Sequence, residues 1–213
     1  MSEPVDVYWS FRSPYSRLVT ADLFPLRDDY NVEVNIRPVL PLAIRFPEAL
    51  FTSEDRRAPR YIGMDSFRRG EMLGRPIIWP QPDPVVQDFS TMKIADEQPY
   101  IFRLTKLGVE ANRRGKGLEY IHNVSELIFG GTRDWDQGDK LKDAAAEAGL
   151  DLDDMETAIA SRDHMTEIER NLDALDASGH WGVPTMVFRD EPFFGQDRID
   201  TLRWRIDQAG LAR

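Results

Sequence analysis

Four consecutive residues near the amino terminus, Ser13-Pro14-Tyr15-Ser16, place two hydroxyl side chains at the spacing of a Cys-x-x-Cys disulfide motif. They lie where a predicted strand gives way to a predicted helix, and unpaired amides at a helix N-terminus stabilise a thiolate. The chain contains no cysteine, so it cannot exchange disulfides through thiols of its own. A serine at this position can still donate a hydrogen bond to the thiolate of a bound molecule.

The composition is that of an acidic globular protein. With 213 residues, of which 41% are hydrophobic, the chain can form one compact domain, or one domain that carries a large insertion. Its formal net charge of −10 disfavours nucleic acid as a partner, because such binding depends on clustered Lys and Arg. The sequence shows neither a signal peptide nor an uncharged stretch of about 18 residues. We therefore expect a cytoplasmic protein with no membrane contact.

The first forty residues predict a strand, a helix and a second strand. Apolar residues alternate with polar ones at 5–10 and again at 32–39, which is typical of strands. Between them, Ser13 is a candidate N-cap and Pro14 suits the first helical position, because the amide hydrogen that proline lacks would have had no intrahelical partner. This stretch therefore predicts a βαβ unit.

The last thirty residues predict two strands and a helix. Residues 185–188 and 192–194 flank a short polar turn, which indicates a hairpin. Residues 197–209 follow as a terminal helix, for which Asp197 is a candidate N-cap. The carboxyl-terminal end is therefore predicted to be a ββα unit.

Between these two units, helical patterns dominate the sequence, including one at about 61–73. A βαβ unit and a ββα unit can share one mixed sheet. The order predicts an α/β protein with a thioredoxin fold interrupted by a large all-helical insertion. We expect a thioredoxin-like domain at 1–39 and 179–213, and an insertion domain at 40–178 that packs as a separate layer.

Three ordered blocks of sequence carry a family resemblance. Residues 7–16 (VYWSFRSPYS), 181–187 (WGVPTMV) and 194–198 (FGQDR) together resemble 2-hydroxychromene-2-carboxylate isomerases and kappa-class glutathione transferases. Residues 61–68 add a weaker match. The blocks span nearly the whole chain, and the resemblance implies a DsbA-like thioredoxin fold, glutathione as cofactor, a homodimer and a role in aromatic compound catabolism.

The resemblance also implies roles for individual residues. Ser13 matches the serine that hydrogen-bonds the glutathione sulfur, although a helix cap alone would also explain a serine there. Val183 and Pro184 match a cis-proline turn whose free backbone groups pair with the extended cofactor. Gln196 and Asp197 match the polar pair that binds its γ-glutamyl end. Simple structural readings, an edge-strand proline and a helix cap, also fit these four positions.

One stretch departs from the family pattern. The family has a lysine that reaches the glycyl carboxylate of glutathione, whereas residues 51–60 of this chain carry arginines instead. Arg60 or Arg57 could replace that lysine as a bidentate carboxylate partner; alternatively, the stretch is a solvated basic run. Arg12 and Arg17 flank the serine and either favour an acidic substrate or face water.

Other residues suggest a pocket rather than a metal site. Phe11, Trp79 and Phe89 are candidates to line an aromatic substrate pocket. The three histidines are far apart in sequence and have no cysteine partner, so we expect no metal site. One of them, His180, precedes the predicted cis-proline turn and either approaches the site or serves the turn.

These features lead to one expected activity with two alternatives. We expect a glutathione-dependent cis–trans isomerase that resembles 2-hydroxychromene-2-carboxylate isomerase and acts on an aromatic or conjugated carboxylic acid. The first alternative is a kappa-type glutathione transferase that conjugates an electrophile. The second is a non-catalytic thioredoxin-fold module that binds a peptide or a protein partner.

Overall fold

A mixed four-stranded sheet forms the centre of the protein in a computed structural model, which describes residues 2–47 and 55–213. The strands lie in the order β2-β1-β3-β4, with β1 parallel to β2, β1 antiparallel to β3, and β3 antiparallel to β4. This sheet confirms the α/β class and the predicted βαβ and ββα units. The strands are β1 (Glu3–Trp9), β2 (Val32–Pro38), β3 (Thr185–Phe188) and β4 (Glu191–Phe194).

Helices account for most of the remaining described residues, and seven of them lie in sequence between β2 and β3. The first of those seven is a single turn, and the second, α3, covers the predicted helix at 61–73 but begins four residues earlier. The helices are α1 (Pro14–Asp29), α2 (Leu42–Arg45), α3 (Arg57–Met72), α4 (Ile101–Arg113), α5 (Gly117–Phe129), α6 (Lys140–Glu147), α7 (Leu152–Ser161), α8 (Met165–Ala177) and α9 (Ile199–Gln208).

The start of the terminal helix differs from the prediction. A 3₁₀ turn, Gln196–Arg198, precedes α9, and Asp197 lies within that turn instead of capping the helix. Gly195 turns the chain with a φ of 109°, a conformation that suits glycine, and its N–H donates to the carbonyl of Pro184 at 2.9 Å. The turn at Gly195 is therefore held by the residue that precedes β3, and the chain enters a 3₁₀ turn there, so the predicted Asp197 cap is wrong.

The first turn of α1 is fixed to the end of β1 by a buried tryptophan. The indole N–H of Trp9 lies 3.0 Å from both the carbonyl oxygen of Ser16 and the hydroxyl of Thr20. All three residues are fully buried. Because water does not compete for these buried groups, the hydrogen bond from the indole N–H, shared between the two acceptors, holds the first turn of α1 at one position relative to the sheet.

One hydrophobic cluster joins the sheet to the helices inserted between β2 and β3. The ring of Phe11 packs edge-to-face on Trp9, with centroids 4.7 Å apart, and on Tyr120 of α5, at 6.2 Å. The predicted role of Phe11 in lining a pocket is wrong, because its side chain is fully buried in this core. The cluster contains residues from both predicted domains, and the division at 40–178 stays a prediction.

A glycine of α4 allows this core to close. A Cβ atom added at Gly108 would lie 2.8 Å from the Phe11 ring and 3.2 Å from Pro38. We expect Gly108→Ala to destabilise the protein by about 1–2 kcal/mol, because overpacking costs about 1–3 kcal/mol and the better helix propensity of alanine returns at most about 1. The free energy of unfolding from urea denaturation measures the effect.

Gly63 of α3 provides the matched control. It is also a helical glycine, but a Cβ added there would meet no atom within 4 Å. Gly63→Ala should therefore stabilise the protein slightly, by about 0.5–1 kcal/mol. Equal effects of the two substitutions would contradict the packing explanation.

Candidate active site

Ser13 caps α1 as an acceptor, and its hydroxyl hydrogen donates only to the carbonyl of Val183, at 3.4 Å. Its backbone is extended, and its Oγ accepts a hydrogen bond of 3.1 Å from the N–H of Ser16. The N–H of Tyr15, in the same first turn, has no acceptor among the described residues. Because helix N-termini carry partial positive charge, the hydroxyl and this amide together form a donor pair suited to an anion such as a thiolate.

The segment Val183–Pro184 lies opposite Ser13, and its peptide bond is cis as predicted. The Ser13 hydroxyl lies 3.4 Å from the carbonyl oxygen of Val183, which is long for an O–H···O bond, whose usual length is about 2.7–2.8 Å. The N–H of Val183 has no acceptor within the described part of the chain. A ligand can therefore replace the weak serine contact and pair with both backbone groups of Val183.

A cavity of about 560 Å³, here called the polar cavity, extends from this segment along one side of α3. It brings Gln196 and Asp197 together with Val183 and Pro184, as the sequence predicted. Gln196 Oε1 accepts a hydrogen bond of 3.2 Å from Arg69 Nε, and the carboxylate of Asp197 lies 3.1 Å from Arg198. Residues that line the polar cavity include Tyr61, Asp65, Arg69, Pro184, Gln196 and Asp197.

One face of α3 contributes to the polar cavity; part of it lies in the weaker match at 61–68, but the sequence predicted no site role for it. Tyr61, Asp65 and Arg69 are spaced four residues apart, so they lie on one side of the helix. The hydroxyl of Tyr15 donates to the Asp65 carboxylate at 2.7 Å, and Arg68 Nε donates to it at 2.9 Å. The i, i+4, i+8 spacing of polar residues was the signal that could have identified this face.

The contact between Tyr15 and Asp65 changes the acidity of both groups. Burial and the hydrogen bond to Asp65 raise the pKa of the Tyr15 hydroxyl well above its ordinary value. Burial alone would raise the pKa of the Asp65 carboxyl, but hydrogen bonds from Tyr15 and Arg68 outweigh it and lower that pKa. Tyr15 therefore stays protonated and Asp65 stays ionised at neutral pH.

A second cavity, of about 290 Å³ and here called the apolar cavity, lies beside Ser13 and Val183. Its walls are mainly aliphatic and aromatic, so it suits the apolar part of a ligand. The predicted pocket residue Trp79 lines it. Its lining includes Ser13, Pro41, Leu42, Trp79, Trp181 and Phe194.

His180 supports the loop that leads to Val183. Its ring stacks on Phe194, with centroids 3.8 Å apart, and on Trp181, at 5.3 Å. Its Nδ1 accepts the N–H of Gly182 at 2.9 Å, and burial lowers the pKa of the imidazole. The ring is therefore neutral at pH 7 and serves the turn.

The arginines beside the serine hold the structure together. Arg12 makes a two-pronged ion pair with Asp83, at 2.9 and 3.1 Å, and only 9% of its side chain is exposed. Arg17 is 4% exposed and donates to Glu126 at 2.8 Å. Of the two alternatives for these arginines, exposure to water is wrong, because both side chains are buried and paired with carboxylates of the protein.

Arg60 does not join the other predicted site residues. It lines a third cavity, of about 550 Å³ and here called the basic cavity, on another side of α3. Arg57 pairs with Asp55 at 2.7 Å and its side chain is 91% exposed. The basic cavity also contains the predicted pocket residue Phe89. Its lining includes Arg56, Arg60, Phe67, Trp79, Phe89 and Met92.

Residues 2–47 and 55–213 form neither a metal-binding cluster nor a membrane-spanning helix. Those residues contain no group of three or more His, Asp or Glu side chains arranged to hold a metal ion. None of the helices they form is long and apolar enough to cross a bilayer.

Comparison with known proteins places the chain in a family. Residues 95–207, just over half of the chain, match the model of the DSBA-like thioredoxin domain. No curated protein sequence matches the chain.

Solved structures share the fold over nearly the entire chain. A 2-hydroxychromene-2-carboxylate isomerase superposes with a TM-score of 0.73 at 20% identity, covering 97% of this chain and 95% of that one. The cytosolic disulfide reductase DsbM from Pseudomonas aeruginosa superposes with a TM-score of 0.64 at 14% identity, covering 96% and 99%. A further DsbM structure, with GSH, gives 0.60 at 12% identity and the same coverage. At these identities the likeness establishes the fold.

The Asp65 carboxylate predicts a pH-dependent contribution to stability. Because its pKa is lowered in the folded protein, the contribution is present above the unfolded pKa of about 3.9 and is lost as the pH falls through the folded value. Asp65→Asn should therefore reduce the free energy of unfolding more at pH 7 than at pH 3, as measured by urea denaturation. Glu71→Gln, which removes an exposed carboxylate of the same helix, is the control. If Asp65→Asn lowered the free energy of unfolding equally at pH 7 and pH 3, the predicted role of the ionised Asp65 carboxylate would be contradicted.

Proposed function

This chain belongs to the DSBA-like thioredoxin domain family, and we propose that it is a glutathione-dependent cis–trans isomerase acting on an aromatic or conjugated carboxylic acid. The observation that carries the proposal is the pair of donors, the Ser13 hydroxyl and the Tyr15 N–H, facing the open backbone of Val183 in a chain without cysteine. The site has the donors for a thiolate but no thiol of its own. The thiol therefore comes from a bound molecule.

We assign the described groups to the parts of glutathione in order. The Val183 N–H and C=O would pair with the cysteinyl backbone, as one strand pairs with a sheet edge. The Asp197 carboxylate would bind the α-ammonium of the γ-glutamyl end. Arg69, already held by Gln196, would bind the adjacent α-carboxylate.

The protein supplies position and electrostatics for this chemistry. When bound, glutathione would supply a thiolate that adds to a conjugated double bond, leaves a single bond free to rotate, and departs again. Ser13 would hold the thiolate with its hydroxyl hydrogen and lower its pKa together with the helix N-terminus. The apolar cavity beside Ser13 would exclude water from the reacting part of the substrate.

Two other readings use the same geometry. A kappa-type transferase would consume glutathione, whereas an isomerase returns it, so measuring free glutathione at the end of the reaction separates the two. A non-catalytic binding module would use the unpaired Val183 backbone for a peptide and would show no turnover. The structure of DsbM with GSH supports glutathione as a ligand of this fold. We also propose that the protein acts in the cytoplasm. A homodimer and a role in aromatic compound catabolism remain predictions.

Isothermal titration with glutathione tests the proposal directly. Ser13→Ala should weaken binding about 10- to 100-fold, because a hydrogen bond to a charged group contributes about 1.5–3 kcal/mol. The pKa of the bound glutathione thiol should also rise in this variant, which a pH titration of the ultraviolet absorbance of the thiolate measures. Ser161→Ala is the control and should leave glutathione binding unchanged, because Ser161 lies on an exposed end of α7. Absence of glutathione binding to the unmodified protein would refute the proposed function.

The γ-glutamyl assignment predicts a contrast between arginines. Arg69→Gln should weaken glutathione binding about tenfold, whereas Arg57→Gln should leave it unchanged because Arg57 is nearly fully exposed. Arg60→Gln tests the role that the sequence predicted for Arg60 at the glycyl carboxylate. Unchanged affinity in the Arg69 variant would remove Arg69 from the site.

A further inference from the structure

We propose that the basic cavity binds the acidic group of an apolar aromatic acid and that Arg60 is its main partner. The inference rests on the proposed function in one respect, which is that this acid is the substrate. It assigns Arg60 to the substrate, whereas the sequence had suggested glutathione.

Among the arginines that line the basic cavity, Arg60 is the one whose side chain has no partner within residues 2–47 and 55–213. Arg12 is compensated by Asp83 and also donates to Gln87 at 2.7 Å. Arg56 donates to the carbonyl of Ser90. No hydrogen bond or ion pair reaches the side chain of Arg60 from residues 2–47 or 55–213.

The cavity therefore presents positive charge to a ligand. Among the described residues that line it, three are arginines and none is acidic. The chain as a whole carries a net charge of −10, so this concentration of arginine is local. An arginine side chain binds a carboxylate with two parallel hydrogen bonds, which selects an organic acid over a neutral compound.

Aromatic side chains form the walls next to these charges. Trp79 and Phe89 meet edge-to-face with centroids 6.5 Å apart, and Trp79 Nε1 donates to Asp83 at 3.2 Å, which fixes the indole. Phe67 and Phe89 remain 40% and 50% exposed. Exposed aromatic faces beside an unpaired arginine suit a planar ring that bears an acidic group.

The basic cavity adjoins the apolar cavity. Arg12, Ile62 and Trp79 line both. An acid held at Arg60 would extend its apolar part past Trp79 toward Ser13, where the thiolate is proposed to react. The substrate class is therefore an extended aromatic or conjugated acid.

Binding of 2-naphthoate in the absence of glutathione tests this inference. Isothermal titration should show binding to the unmodified protein and at least tenfold weaker binding of the uncharged isostere 2-naphthamide. Arg60→Gln should weaken naphthoate binding about tenfold and leave naphthamide binding unchanged. Arg57→Gln, on the same helix but outside all three cavities, should change neither.

Each contrary result overturns the inference. These are no binding of naphthoate, equal binding of naphthoate and naphthamide, and equal effects of the two arginine substitutions. The comparison of the two ligands needs no variant, so it stands even if Arg60→Gln fails to fold. Because glutathione is omitted, failure here together with glutathione binding in the earlier titration would reject the acid subsite and leave the proposed function intact.

Discussion

The buried pair Trp9 and Phe11 determines where the candidate site can form. The Trp9 indole fixes the first turn of α1 to the sheet, and Phe11 fixes the segment before it against α4 and α5. Ser13 follows two residues later and has little freedom to move. The proposed role of this hydroxyl, a hydrogen bond to a ligand sulfur, would need a position held to within about 0.5 Å, and contacts of the core to both sides of Ser13 provide such support.

The sequence predicted the parts of the fold that depend on local pattern. The strands and α1 follow from alternation and from the Ser-Pro cap, which act over a few residues. The Asp197 cap failed because the turn at Gly195 is set by a hydrogen bond to Pro184, which lies eleven residues earlier on the neighbouring side of the hairpin. No local propensity contains that contact.

The residues of the candidate site also differ in how far the sequence could predict them. Five residues could be proposed from the sequence because each lies in a block that resembles the family: Ser13, Val183, Pro184, Gln196 and Asp197. The structure places the last four around the polar cavity and Ser13 beside Val183 at the apolar cavity; their roles stay predictions. Arg60 was predicted as a partner of glutathione, and Arg69 was not predicted at all, because the sequence does not show which arginine of this helix faces which cavity. Only the orientation of α3 places Arg69 in the polar cavity and Arg60 in the basic cavity.

Helix α3 is a wall shared by all three cavities, and Ile62 lines each of them. A ligand that displaces this helix from one side changes the space available on the other two. Thermodynamic linkage then requires the effect to be mutual: whatever factor one ligand applies to the affinity of a second, the second applies to the first. For the proposed thiol cofactor and acidic substrate, any such coupling would therefore act on both affinities by the same factor, and α3, with Ile62 in all three linings, is the element that the two ligands would share.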